Sequence, residues 1–412
     1  MTFVGIVALL ASCIAATFAF SNRNRNRYLL GFLLLGLHLG ATFYYYQYVQ
    51  THDADARLYY YDPTGMANGT SAYGTVFLVS AVQTLRRTFG GSYFEYFLLF
   101  QTFGFVGIII LSRSLSSVQT QTALPPSRAF VIFLLLPSIQ FWTSAIGKDA
   151  PLFLACSVAA WATIRFTSRW PWFLMSVIVM LFLRPHIAFI AAAALALSLF
   201  LDSRYEFAPR LFFLLVAIVS IPFLFRTVGT TLNFDPSDPN SMADFIVAQH
   251  NIGNMLGGST VRGGFPVRLF SLMFRPFFID SRTAIGIIAS MENAIFVVSM
   301  FYCVTHLKSI YKILNIAVYS RYCYFFTLIL TISLAAVYYN VGLGLRERVM
   351  VYPTLLPIFA AAWSVRRKGR RFPGRAREMA EWPIAGPRPV GTEPLASPSP
   401  LPNRHGRVNG RP

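Results

Sequence analysis

The chain of 412 residues is 55% hydrophobic and only 12% charged, with a mean hydropathy of +0.53. Soluble chains of that length carry about 25% charged residues, so the composition excludes a soluble multidomain protein and indicates a polytopic membrane protein. The net charge of +19 follows from where Lys and Arg fall between apolar runs, and it requires no nucleic-acid partner.

Apolar runs close to the roughly 20 residues that cross a bilayer predict an all-α integral membrane bundle of about eleven transmembrane helices, with interfacial helices beside them. The runs lie at 2–20, 29–47, 93–112, 129–146, 150–166, 171–183, 187–201, 210–226, 284–305, 323–339 and 350–364. The first has no basic residue ahead of it and Arg23, Arg25 and Arg27 behind it. That order fits a retained span with its N-terminus outside, not a signal peptide. With this start, Arg113, Arg128, Arg165, Arg169, Arg204, Arg210, Lys308, Lys312 and Arg321 all fall in inner connections, as the bias of Lys and Arg toward the cytoplasm requires. Residues 1–364 then form the transmembrane domain, with outer loops at 48–92 and 227–283. Residues 365–412 read as a disordered, basic, Pro-rich cytoplasmic tail. Cys13, Cys156, Cys303 and Cys323 sit in apolar runs without CxxC spacing and indicate neither disulfides nor zinc.

The outer connections carry the unusual charges. After the second span comes "YVQTHDADARLYYYDPTG", in which Asp53 and Asp55 form a DxD pair. Two such carboxylates can hold a divalent metal (Mg or Mn), or one can act as general base while the other orients it; an acidic loop with interfacial Tyr is the plainer account. The segment 75–89 is apolar but short and reads as a helix lying along the outer surface, with a twelfth, shallow span as the alternative. The hairpin "GKDAP" places Lys148 and Asp149 between Gly147 and Pro151 in an otherwise uncharged stretch. Asp149 there is either a helix cap or a catalytic group. "FLRPHIAF" sets Arg184 and His186 around Pro185; Arg184 is a snorkelling anchor or a ligand group, and His186 titrates near neutrality or hydrogen-bonds locally.

The large outer loop holds His250 in "AQHNIGNMLGGSTVRGG", whose glycines lack the GK[ST] ending of a nucleotide loop. Arg268 and Arg275 follow, seven residues apart, on what reads as one face of an interfacial helix. Glu292 lies inside the ninth span, where an unpaired carboxylate is expensive. "NVGLGLRERVMVYP" ends the series with Arg346 and Arg348, and a local pairing with Glu347 is the simplest account of them. Basic groups at the membrane border suit a phosphorylated amphiphile, because Arg and Lys bind pyrophosphate.

Together, "LPSIQFWTSAIGKD", "LRPH", "FRP" with "ASMEN", and "NVGLGLRER" resemble the bacterial O-antigen and exopolysaccharide repeat-unit polymerases. These belong among the GT-C-like membrane glycosyltransferases that use polyprenyl-linked donors. The resemblance implies a bacterial inner-membrane enzyme that transfers a glycan from a polyprenyl-(pyro)phosphate carrier on the outer face, with other envelope polysaccharide assembly proteins as partners. It departs from many of them in placing the acidic loop after the second span. Asp53, Asp55 and Asp149 are then the candidate bases. Lys148, Arg184, His186, His250, Arg275, Arg346 and Arg348 are the candidate substrate-binding set, with Asp53 and Asp55 as metal ligands if a metal is used. A flippase for a lipid-linked glycan and a non-catalytic envelope scaffold are the competing expectations.

Overall fold

The computed structural model describes residues 3–21, 25–52, 54–68, 73–122, 129–202, 206–232, 238, 240–241, 244, 247–248, 261, 263–280, 283–338 and 340–366. Every regular element longer than an isolated bridge is helical among these residues. The N-terminal half comprises α1 (Phe3–Ser21), α2 (Arg25–Thr51), α3 (Asp55–Tyr61), α4 (Gly74–Phe89), α5 (Tyr93–Thr122), α6 (Ala129–Leu134), α7 (Pro137–Trp142), α8 (Asp149–Ala162) and α9 (Phe166–Leu183). The second half comprises α10 (Pro185–Phe200), α11 (Phe207–Leu232), α12 (Phe265–Phe274), α13 (Ala284–Thr305), α14 (Leu307–Leu314), α15 (Val318–Val337), α16 (Val341–Arg348) and α17 (Tyr352–Arg366).

Five helical stretches among the described residues are long and apolar enough to cross a membrane, or six if α16 and α17, bent by 78°, count as one. The prediction of eleven is therefore met only in part. The remaining apolar helices are shorter, and local chemistry accounts for some of the breaks. The run 129–146 is not continuous: Pro137 opens α7, and the residue before a proline is driven out of helical backbone, so Leu136 is extended (ψ 125). The segment 75–89 forms α4, which packs against α3 and α9 and is not among the apolar stretches long enough to cross.

Asp149–Leu183 is 35 residues long, and as one straight helix it would extend about 50 Å. Yet Arg184, just past its end, lies 3.6 Å from Asp149 at its start. The stretch therefore doubles back. The reversal falls at the 3-10 turn Thr163–Arg165, where Arg165 leaves helical geometry (φ −136, ψ 64). The two predicted runs 150–166 and 171–183 are thus the antiparallel arms of a hairpin.

Following chain direction from this hairpin sorts the helix ends. One end of the bundle collects the C-termini of α2 and α9, the N-termini of α8 and α10, and helices α3, α4 and α16. The opposite end collects the C-termini of α1, α5 and α10, the α8–α9 turn, α14 and the start of α15. Arg113, Arg165, Arg169, Lys308, Lys312 and Arg321, which the sequence places in inner connections, all belong to this second end.

The core is centred on α17, which packs against α5, α8, α13 and α15 and buries Tyr352, Leu356 and Phe359. Within lipid, helices gain little from hiding apolar groups, so close backbone approach matters more. Gly104 of α5 supplies such an approach: a Cβ there would sit 2.1 Å from the Thr143 carbonyl oxygen and 2.9 Å from His38 Nε2. Gly107, a turn later, meets the Phe153 ring at 2.7 Å. These two contacts bring α5 against the α7–α8 connection that carries Gly147 and Lys148.

Candidate functional site

At the first end, side chains from five separate segments meet. Asp55 opens α3, where a first-turn acid is favoured by the helix dipole. Its Oδ2 accepts from Arg346 Nη1 at 2.6 Å. Arg346, in the last turn of α16, also donates from Nε to Asp149 Oδ2 at 2.6 Å. Asp149 Oδ1 lies 3.6 Å from Arg184 Nη2, and Arg184 Nη1 is paired with Glu347. Lys148 donates to Thr75 Oγ1 of α4 at 3.1 Å. Arg346 reaches within 6.0 Å of the centre of the Trp142 ring, and a Cβ on Gly147 would touch Tyr59, Asp149 and Arg346 at 3.8–3.9 Å.

Each position follows from local backbone rules. Lys148, not Asp149, is the residue that precedes α8, and no side chain caps that helix. Asp149 is instead the first helical residue, only 4% exposed, and spends its carboxylate on the two guanidiniums. The capping account of Asp149 is thereby corrected. Arg184 is extended (φ −151) because Pro185 begins α10, and that break turns its side chain toward Asp149 and Glu347. The local Arg–Glu347 pairing is corrected as well: the partner of Glu347 is Arg184, 163 positions away.

The cluster has an exposure gradient. Asp55 is 52% exposed, Arg346 20%, Glu347 14%, Arg184 12% and Asp149 5%, counted over side chains. Burial pushes the Lys148 ammonium down to about 8, and the Arg184 charge adds to the fall. Burial likewise pushes the Tyr59 phenol up to about 12, with the Asp55 carboxylate contributing. Exposure therefore falls from Asp55 at the surface to Asp149 inside.

Other predicted residues lie elsewhere. Arg275 caps α12 and makes a bidentate pair with Asp280 at 2.7 and 3.0 Å; Arg268 donates to the Ala336 carbonyl at 2.8 Å. The two do not present a shared free face. Arg348 is fully buried and turned into the bundle, bonded to Tyr352 Oη at 2.9 Å and to the Met273 carbonyl at 2.6 Å. Its Nη2 is 3.7 Å from Glu292, so Arg348 is an internal ion-pair partner and not a rim ligand. His186 is half-buried, within electrostatic reach of Arg184 and Lys148, and its Nδ1 has no hydrogen-bond partner. Asp62 serves the loop, accepting from the Met66 and Ala67 amides at 2.6 and 3.0 Å. Asp53 and His250 lie outside the described residues, as does the tail from 367.

No known family, no curated protein and no solved structure matches the chain. What the site does must be read from its own chemistry. Among the described residues, no three His, Cys, Asp or Glu side chains gather as a ligand set. Asp55 and Asp149 both face guanidinium N–H groups, which makes them ion-pair partners.

Sequence reading missed Glu347, Thr75, Trp142 and Tyr59 as members. The available signal for Glu347 was its place between two arginines, and for Thr75 and Trp142 it was only their closeness to the outer turns. Nothing in the sequence pairs Thr75 with Lys148 across 73 positions.

Proposed function

We propose that the chain is a membrane glycosyltransferase that takes a glycan from a polyprenyl-(pyro)phosphate donor, at the end of the bundle that faces away from the cytoplasm in a bacterial inner membrane. The observation that carries this reading is the convergence of Arg184, Arg346 and Lys148 with Asp55, Asp149 and Glu347 from four segments at one end of an apolar bundle. Three cations beside lipid suit a phosphorylated head on an isoprenoid chain. Arg346 and Arg184 would grip it through paired N–H donors, the geometry in which guanidinium excels.

The pairing implies a sequence of events. An incoming pyrophosphate competes with Asp55 for Arg346, the most exposed of the links. Once displaced, Asp55 has a free oxygen to accept the proton of an acceptor hydroxyl. That hydroxyl oxygen forms the new bond at the anomeric carbon while the bond from that carbon to the phosphate oxygen breaks. The departing pyrophosphate keeps the electron pair, and Arg184, Arg346 and Lys148 neutralise the charge that grows there. Asp149, held by two guanidiniums, orients Arg346.

The test is incubation of the purified protein with a lipid-linked repeat unit in proteoliposomes. Lengthened glycan chains, lost in Asp55→Asn, are expected. Relocation of the donor across the bilayer without lengthening would make the protein a flippase, and inertness in both assays would leave the scaffold.

A further inference from the structure

Glu292 touches neither the proposed substrate nor the rim cluster, yet it contacts two of the five segments that carry the cluster. Its Oε2 accepts from the backbone N–H of Ser138 at 2.9 Å, at the start of α7. Helix α7 leads through Trp142 to Lys148 and Asp149. Its Oε1 accepts from Tyr352 Oη at 2.6 Å and lies 3.7 Å from Arg348 Nη2. Arg348 terminates the same helical turn that presents Arg346 and Glu347 to the rim, and it is further fixed by the Met273 carbonyl at 2.6 Å and the Phe296 ring at 4.8 Å. Glu292 and Arg348 are both 0% exposed.

We infer that Glu292 is a positioning residue: with Arg348 it sets the spacing between the Pro137–Asp149 wall and the Arg346–Arg348 wall of the site. A buried ion pair is a poor source of stability, since replacing both members by neutral groups is often harmless while removing one leaves an uncompensated charge. A pair kept inside a membrane bundle, where ionisable groups are costly, is therefore better explained by the geometry it enforces. Three successive residues of one turn divide the work: Arg346 and Glu347 hold the rim, and Arg348 hooks the turn to Glu292. The consequence for function rests on the glycosyltransferase reading; the spacing itself does not.

The test separates charge balance from position. Glu292→Gln alone leaves Arg348 unpaired and is expected to unfold at lower temperature in detergent. Glu292→Gln combined with Arg348→Gln removes both charges and is expected to recover the melting temperature but not the wall spacing. Spacing is read as the distance distribution between nitroxide labels at Phe141→Cys and Leu345→Cys, one on each wall, with the native cysteines replaced. A broadened or shifted distribution in the folded double variant supports the inference, and one that matches the parent overturns it. A second readout is binding of farnesyl pyrophosphate, expected to weaken in the double variant by up to about a hundredfold, the scale on which a misplacement of about 1 Å acts. Full affinity in that variant would also overturn the inference. A parent protein that shows the expected spacing but no affinity for farnesyl pyrophosphate would sink the glycosyltransferase reading and leave the clamp in place.

Discussion

The two ends of the bundle use arginine differently. At the far end, guanidiniums close helices: Arg113 donates to the Ala19 carbonyl at 2.8 Å, Arg169 to Trp161 at 3.2 Å, and Arg321 to Ser198 at 3.1 Å. Each acceptor lies in the last turn of a helix, where carbonyls are left without intrahelical partners and cations are favoured. Arg321 also pairs with Asp202 at 3.0 Å, which reinforces the same joint. At the site end, guanidiniums reach carboxylates from segments as far as 291 positions away. Charges that finish helices are structural. Charges that bridge distant segments, with one partner half in solvent, can exchange that partner for a ligand.

The contrast is broken most sharply at its most exposed member. Asp55→Asn is expected to lower turnover on the order of 10²–10⁴-fold, as for loss of a general base, while stability changes by no more than about 1 kcal/mol because the pair is partly screened. Glycan-chain length from a lipid-linked donor, read beside a melting curve, decides this; normal chains would remove Asp55 from the chemistry. Arg346→Ala is expected to cost on the order of 10²–10³-fold in turnover, the scale for removing one charge-stabilising donor. It also strips buried Asp149 of its shortest partner, so the melting temperature falls here and not in Asp55→Asn.

Lys148 gives a pH signature. Its folded value is about 8 against an ordinary 10.5, with burial as the main cause. Between those values the unfolded chain binds the extra proton, so stability rises with pH across that window. Below about 8 both states are charged and the full cost of burying the ammonium is present. Anion affinity runs the other way and falls as pH passes 8. Lys148→Arg keeps its charge and is expected to flatten the upper limb of the pH–affinity curve for a pyrophosphate probe; an unchanged limb would free Lys148 from the site. The smallest effect belongs to the far end. Arg113→Gln removes an exposed donor to one carbonyl and is expected to shift stability by about 0.5 kcal/mol or less, with turnover unchanged.

Much of this partition could be read without coordinates, because the bias of Lys and Arg is a property of connections, and connections are punctuated by apolar runs. The outer grouping of Asp55, Lys148, Asp149, Arg184 and Arg346 was legible for that reason. The fate of Arg348 was not. Successive residues on a helix point about 100° apart, so Arg346, Glu347 and Arg348 look alike as a string and face three different surroundings. The same limit hid Glu347 behind its neighbours, although its partner lies across the site. The helix boundary at Pro185 was legible because it falls between two apolar runs, whereas the one at Pro137 was hidden inside the run 129–146. The number of spans was not legible, since several apolar stretches are shorter than a bilayer or are split.

The α8–α9 hairpin has a consequence for the membrane itself. Its inner arm, α8, is buried in the bundle, while its outer arm, α9, exposes Trp172, Leu174, Met175 and Ile178 over 18 residues, about 27 Å at 1.5 Å per residue and a little short of the roughly 30 Å hydrocarbon layer. Mismatch of that sign is relieved by thinning the surrounding lipid, so headgroups would dip toward Arg184 at the end of α9. On the proposed function, a polyprenyl carrier diffusing past would then present its phosphates near the depth of the Arg184 guanidinium without being lifted from the leaflet.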